Sequence, residues 1–205
     1  QKSMPPGRNS FRIIAGSWRG RRLEFPPNAE LRPSADRVRE TLFNWLQPHI
    51  AGSRCLDLFA GSGSLVLEAL SRGAADVVAI DNQRAAIAAL DQHGGTLPMA
   101  NDQRLQALCA DSRQWLATAE PPALPFTVVF LDPPFRRDWL PALLEQLERP
   151  GWLVDGALVY IEYDKKNDEV AVTSALSSQL SSNWVTWKQQ SAGQVAGRLL
   201  RWEPN

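Results

Sequence analysis

Apolar residues recur along this chain in two rhythms, and the change of rhythm divides it. Over residues 34–47 the spacing is helical: Val38, Leu42, Trp45 and Leu46 fall at i, i+4, i+7 and i+8 on one face, with Ser34 as N-cap and Pro48 just after the last turn. From residue 53 short apolar runs alternate with longer amphipathic stretches. SRCLDLF (53–59), DVVAI (76–80), RLQALCA (104–110), FTVVFL (126–131) and ALVYIEY (157–163) read as strands, and 64–72, 82–93, 112–119 and 138–148 read as the helices between them. Strands separated by helix-length segments predict a parallel, doubly wound α/β sheet. A further helix near 169–181 precedes NWVTWKQQ and GRLLRW, two strand candidates joined by a short glycine-containing loop, so the sheet is expected to end in an antiparallel hairpin. FRIIAG and RRLEF predict another short hairpin around Ser17-Trp18-Arg19-Gly20. The expected organisation is a basic N-terminal arm or hairpin over 1–30, followed by one α/β domain over 31–205 that includes helix 34–47.

Composition narrows the partners. At 205 residues the chain suits one domain. Net charge is zero, yet residues 1–40 hold nine Lys/Arg against four Asp/Glu while the remainder holds 13 against 18. The arm is therefore the expected phosphate-binding surface, through Arg12, Arg19, Arg21 and Arg22. Cys55 and Cys109 both sit in apolar strand-like runs and are expected buried and reduced, as in a cytoplasmic protein. His49 and His93 are isolated, without ligand spacing, so no metal site is expected. No apolar stretch approaches the ~20 residues of a membrane span.

In open α/β sheets ligands bind at the carboxyl ends of the strands, which makes the polar residues there the candidates. In LDLFAGSGSLVLEAL, Gly61 and Gly63 lie between a strand and a helix, where a backbone without side chains lets a ligand approach closely. Glycine at such a turn is often turn chemistry alone. The dinucleotide pattern G-x-G-x-x-G fails, because Val66 stands where its third glycine belongs. With Asp57 and Phe59 ahead of them, the glycines form D-x-F-x-G-x-G, which is similar to the first motif of adenosylmethionine-dependent methyltransferases. Asp81, with Asn82 beside it, ends the next strand twenty residues after Gly61, where a ribose-binding acid belongs. Asp111-Ser112 ends the third strand, where an adenine amino group could be read; an Asp helix cap is the competing reading.

VVFLDPPFRR carries the most specific signal. An apolar strand ends in Asp132-Pro133-Pro134-Phe135, and two prolines stop further pairing while fixing the backbone. The order matches the (D/N)-P-P-(Y/F) motif of methyltransferases acting on amino nitrogens conjugated to a planar group. Such a nitrogen is a poor nucleophile because its lone pair is delocalised. Asp132 on one N–H and the Pro133 carbonyl on the other would direct that lone pair, and Phe135 can stack on the base for ~1–3 kcal/mol. Arg136 and Arg137 follow directly, placed to grip phosphates flanking an extruded nucleotide. Adenine N6, cytosine N4, guanine N2 and glutamine amides all remain open at this point.

RPSADRVRETLFNWL (32–46) narrows the target. With FRIIAGSWRGRRL, LDLFAGSGSLVLEALSRGA, VVFLDPPFRR and GQVAGRLLRW it resembles the RsmD family, bacterial 16S rRNA guanine-N2 methyltransferases, over almost the whole chain. The resemblance implies a Rossmann-like class I methyltransferase fold of seven strands, mostly parallel with the last antiparallel. It implies S-adenosylmethionine as cofactor, S-adenosylhomocysteine as product, and 16S rRNA within a small-subunit particle as partner. It also places Asp36, Arg37 and Arg39 on the polar side of the helix bordering the cleft. A monomer is expected. A nicotinamide oxidoreductase, an amino-methyltransferase acting on adenine N6 or protein glutamine, and a non-catalytic RNA-binding assembly factor are the alternatives.

Overall fold

The apolar face of the first long helix sets the layering. The computed structural model describes residues 9–27, 35–134 and 138–204, and in it this helix, α1 (Asp36–Ile50), buries Val38, Leu42, Phe43, Leu46 and Ile50. The Ser34 cap lies outside the described residues. The helix does not stop before Pro48 but runs through it to Ile50. A proline there removes one i→i−4 bond in the last turn, and full burial of Ile50 holds the turn in place.

The remaining elements follow as β3 (Arg54–Asp57), α2 (Ser64–Ser71), β4 (Asp76–Asp81), α3 (Arg84–Thr96), β5 (Arg104–Cys109), α4 (Ser112–Thr118), β6 (Phe126–Leu131), α5 (Leu140–Leu147) and β7 (Leu153–Asp164). Then come α6 (Lys165–Ser174), continued by a π turn (Ala175–Gln179), and the strands β8 (Trp184–Ala192) and β9 (Val195–Trp202). The strand order is β5-β4-β3-β6-β7-β9-β8, parallel from β5 to β7, with β9 antiparallel to both β7 and β8. This is the seven-stranded sheet expected from the sequence. The last helix begins earlier than expected because Asp164 caps it, accepting from Lys166 N and Asn167 N at 2.9 and 3.2 Å.

One sheet face packs on α1, α2 and α3 through Cys55, Val128, Phe130, Leu158, Tyr160 and Leu199. The other packs on α4, α5 and α6 through Leu56, Val129, Leu131, Val159 and Ile161. Cys55 is buried, and burial pushes its thiol up to about 12. Cys109, expected to be buried, is exposed. It lies on β5, an edge strand none of whose residues is fully buried.

The N-terminal hairpin forms a separate two-stranded sheet of β1 (Asn9–Arg12) and β2 (Arg22–Phe25). Its Phe11, Ile13, Trp18, Leu23 and Phe25 belong to the α1–α2–α3 core. Polar bonds fix it as well. Glu68 on α2, fully buried, accepts from Ile14 N at 2.8 Å and Ala15 N at 3.1 Å, and Ser71 Oγ accepts from Trp18 N at 3.0 Å. Among the described residues no helix is long and apolar enough to cross a membrane.

Candidate active site

The tip of β3 is shaped by its glycines. Gly61 and Gly63 have φ of +54° and +82°, the left-handed region where a side chain is strained, and a Cβ on Gly63 would press into Leu90 of α3. Asp57 is buried and accepts from Phe59 N at 3.1 Å. Burial, reinforced by the charge of Asp81, pushes its carboxyl up to about 7. Asp81 braces the turn from the next strand, accepting from Gly61 N at 2.9 Å and Gln83 N at 2.8 Å. Asn82 is exposed beside it. Asp111 caps α4 through Arg113 N and Gln114 N, and buried Ser112 donates its hydroxyl to the Leu58 carbonyl. Gly63 gives α2 no side-chain cap, and the first helical N–H, at Ser64, donates to Ser62 Oγ within the turn at 3.4 Å.

β6 lies next to β3, with Asp57 opposite Phe130. Asp132 therefore projects from the same sheet face as Asp57, one pleat further on. On the other side, the pairing of Leu131 with Ile161 brings Asp132 beside Glu162 of β7. The two carboxyls lie side by side on neighbouring strands; burial, then Glu162, then Asp57 push Asp132 well above the usual carboxylate range. Phe135, Arg136 and Arg137 lie outside the described residues. Asp57, Asp81, Asp132 and Glu162 thus line adjacent strand tips, and among the described residues none has a salt-bridge partner. Such a group of acids, with no cationic partner among the described residues, suits a cationic ligand, as a sulfonium is, and the glycine turn leaves backbone open to it.

The expected basic surface divides. Arg12, Arg19, Arg21, Arg22 and Arg37 are exposed. Arg39, expected on the polar face of α1, is fully buried instead, donating to the Arg12 carbonyl at 2.6 Å and to Asp36 at 3.2 Å and lying 3.8 Å from Glu68. Burial lowers its pKa. It pins the hairpin to α1 and α2 and offers no surface to RNA. The hairpin tip, carrying Arg19, is fixed at Ser71, the end of α2 opposite the glycine turn. Between Ile14 and Trp18 the hairpin runs beside the second half of α2, from Glu68 to Ser71.

Two contributors escaped the sequence reading. Glu162 sits inside an apolar run, and only the register reveals its neighbour. Trp139, a few residues past the proline corner, stacks on Phe59 with centroids 5.8 Å apart and carries Arg113 4.0 Å over its ring. An aromatic so close to DPPF was the available signal. An open pocket of about 610 Å³ at the tip of β7, lined by Asp164, Lys166, Asn167, Asp168 and Gln194, adjoins this site and contains none of these residues.

Comparison with known proteins agrees with this geometry. The family described as Conserved hypothetical protein 95 matches residues 11–201. Ribosomal RNA small subunit methyltransferase D of Escherichia coli K12 is 43% identical over 197 residues, 96% of this chain and 92% of that protein. The Haemophilus influenzae protein of the same name is 40% identical over 198 residues, 96% of each chain. The solved structure of yhhF from Escherichia coli superposes with a TM-score of 0.78 at 42% identity, covering 96% of this chain and all of that one.

Proposed function

The chain belongs to the Conserved hypothetical protein 95 family, the RsmD family its motifs resemble, and we propose that it transfers a methyl group from S-adenosylmethionine to the exocyclic N2 of a guanine in small-subunit ribosomal RNA. One observation carries the reading: the Asp132-Pro133-Pro134 corner ends β6 directly beside the glycine turn that ends β3. Amine-orienting groups and cofactor-binding backbone are thereby adjacent. The same fold argues against a nicotinamide oxidoreductase, whose doubly wound sheet of order 3-2-1-4-5-6 has no antiparallel strand inserted beside its edge.

Asp57, Phe59, Gly61, Gly63, Asp81, Asn82, Asp111 and Ser112 would hold the cofactor, which supplies an electrophilic methyl on a sulfonium. Asp57, once ionised, and the charge that Asp132 and Glu162 keep between them would favour that positive charge. The target guanine leaves its stack, costing roughly a few kcal/mol. Asp132 and the Pro133 carbonyl then accept the two N–H groups of N2, turning its lone pair towards the methyl, with the ring on Phe135. Arg12, Arg19, Arg21, Arg22, Arg37, Arg136 and Arg137 bind the RNA backbone. Holding the amine in line is the main source of rate.

The test is methyl incorporation from labelled S-adenosylmethionine into unmethylated small-subunit particles, naked rRNA and mature subunits, followed by nucleoside analysis. N2-methylguanosine, formed best on the particle, is expected. Label on adenine N6, on protein, or on nothing would refute the assignment.

A further inference from the structure

Beyond the corner, one row of the sheet connects Asp132 to the far hairpin. Glu162 lies opposite Gly197 of β9, and Gly197 opposite Gln190 of β8, so the row continues across three strands. Tyr160, two residues before Glu162 and on the same face, is 1% exposed and donates its hydroxyl to Glu162 Oε1 at 2.9 Å. Gln190 Nε2 donates to that hydroxyl at 3.2 Å and to the Val38 carbonyl of α1 at 3.2 Å. The tyrosine proton is thereby committed to Glu162. Gly197 makes this possible, because a Cβ there would overlap the Tyr160 hydroxyl. The second glycine of GQVAGRLLRW therefore makes room for the Tyr160 hydroxyl and serves no turn.

Two carboxyls set side by side on neighbouring strands, with Glu162 buried, are not both ionised, so one of them carries a proton. Resting on the methyltransferase reading above, we propose that Glu162 is a positioning residue for methyl transfer: it and Asp132 hold one proton between them, which moves to Glu162 when the guanine amine donates an N–H to Asp132. The groups facing the pair are Asp57 of β3, Tyr160 of β7, Gln190 of β8 and the Val38 carbonyl of α1. In the free protein the proton rests on Asp132, which burial and the Glu162 charge favour. As transfer proceeds, the N2 lone pair forms the new N–C bond and the S–C bond breaks, leaving its electron pair on sulfur. The nitrogen, now cationic, gives one proton to Asp132. The pair passes from one negative charge to none and later releases a proton to water. Without Glu162, Asp132 must first lose its proton to solvent.

Glu162→Gln tests this, since an amide keeps the size and the bond from Tyr160 yet takes no proton. With S-adenosylmethionine and particle both saturating, the parental single-turnover rate should be nearly flat from about pH 6 to about pH 8.5. The variant should be at least about tenfold slower at the acid end and recover as pH rises, the scale of one lost acid–base group. Tyr160→Phe should tilt the profile the same way by less. A variant profile parallel to the parent's, however slow, reduces Glu162 to scaffolding and overturns the proposal. Infrared difference spectra of the ligand-free protein near pH 7 give a second readout. The parent should show a protonated-carboxyl band that Asp132→Asn removes. Methyl transfer without that band refutes the shared proton alone. The band without parental methyl transfer refutes the proposed function, and with it Glu162's part in the reaction.

Discussion

Asp57 shows most plainly what burial does to a single side chain. Its carboxyl titrates near 7 instead of at the ordinary 3.8, because burial outweighs the one N–H it accepts. Between those two values the folded chain holds a proton that the unfolded chain releases. Stability from this group is therefore complete below the ordinary value and is lost as pH rises through about 7. Asp57→Asn should flatten that part of the melting-temperature profile. A sulfonium bound beside Asp57 would favour the ionised form. S-adenosylmethionine should accordingly bind more tightly as pH rises through about 7, releasing a proton that calorimetry in buffers of different ionisation enthalpy can count. Asp57→Asn should abolish the release. Cofactor binding with no proton release in the parent protein would place the sulfonium away from this residue.

At the scale of elements, the hairpin β1–β2 depends on Glu68. That carboxylate accepts two hairpin N–H groups and Arg72 Nε at 2.9 Å, with Arg39 at 3.8 Å. Glu68→Ala removes the carboxylate from beside two buried guanidinium groups and the acceptor from two amides, and a loss of about 3–5 kcal/mol is expected from urea unfolding. Hydrogen exchange should accelerate at Ile14 and Ala15 more than at Leu56 in the central strand. Equal acceleration at all three would mean the hairpin has no separate anchorage. The central strands were legible because their apolar runs are short, bounded and buried on both faces, and Asp57, Gly61, Asp81 and Asp132 were legible because strand tips are where the polar exceptions fall. What tertiary packing decides was not. α1 continues through Pro48 because Ile50 has a core to enter, and Arg39 turns inward because Glu68 and the Arg12 carbonyl wait there. Glu162 reads as one more alternation in ALVYIEY until the β6–β7 register sets it against Asp132.

For the molecule as a whole, charge is divided by position: the hairpin that carries Arg12, Arg19, Arg21 and Arg22 is fixed on α2, and Asp57, Asp81, Asp132 and Glu162 gather at the strand tips. In the proposed function, RNA and the cationic cofactor would be drawn to different places. Changing Arg12, Arg19, Arg21 and Arg22 together to Ala should weaken RNA binding and flatten its salt dependence, by a slope of about 0.7–0.9 for each phosphate no longer neutralised. S-adenosylhomocysteine affinity should be unchanged. An unaltered salt slope would remove the hairpin from the RNA surface. In the proposed chemistry Asp132 is the residue on which methyl transfer turns, and the measurement is single-turnover methyl transfer to the unmethylated particle by Asp132→Ala, beside calorimetry with S-adenosylhomocysteine. The residue ends a strand and is only partly buried, so the variant should fold and bind cofactor. It should lose about 3 kcal/mol of transition-state stabilisation, on the order of 100-fold in rate or more, with Asp132→Asn in between. A folded Asp132→Ala protein that methylates at the parental rate would contradict the proposed chemistry.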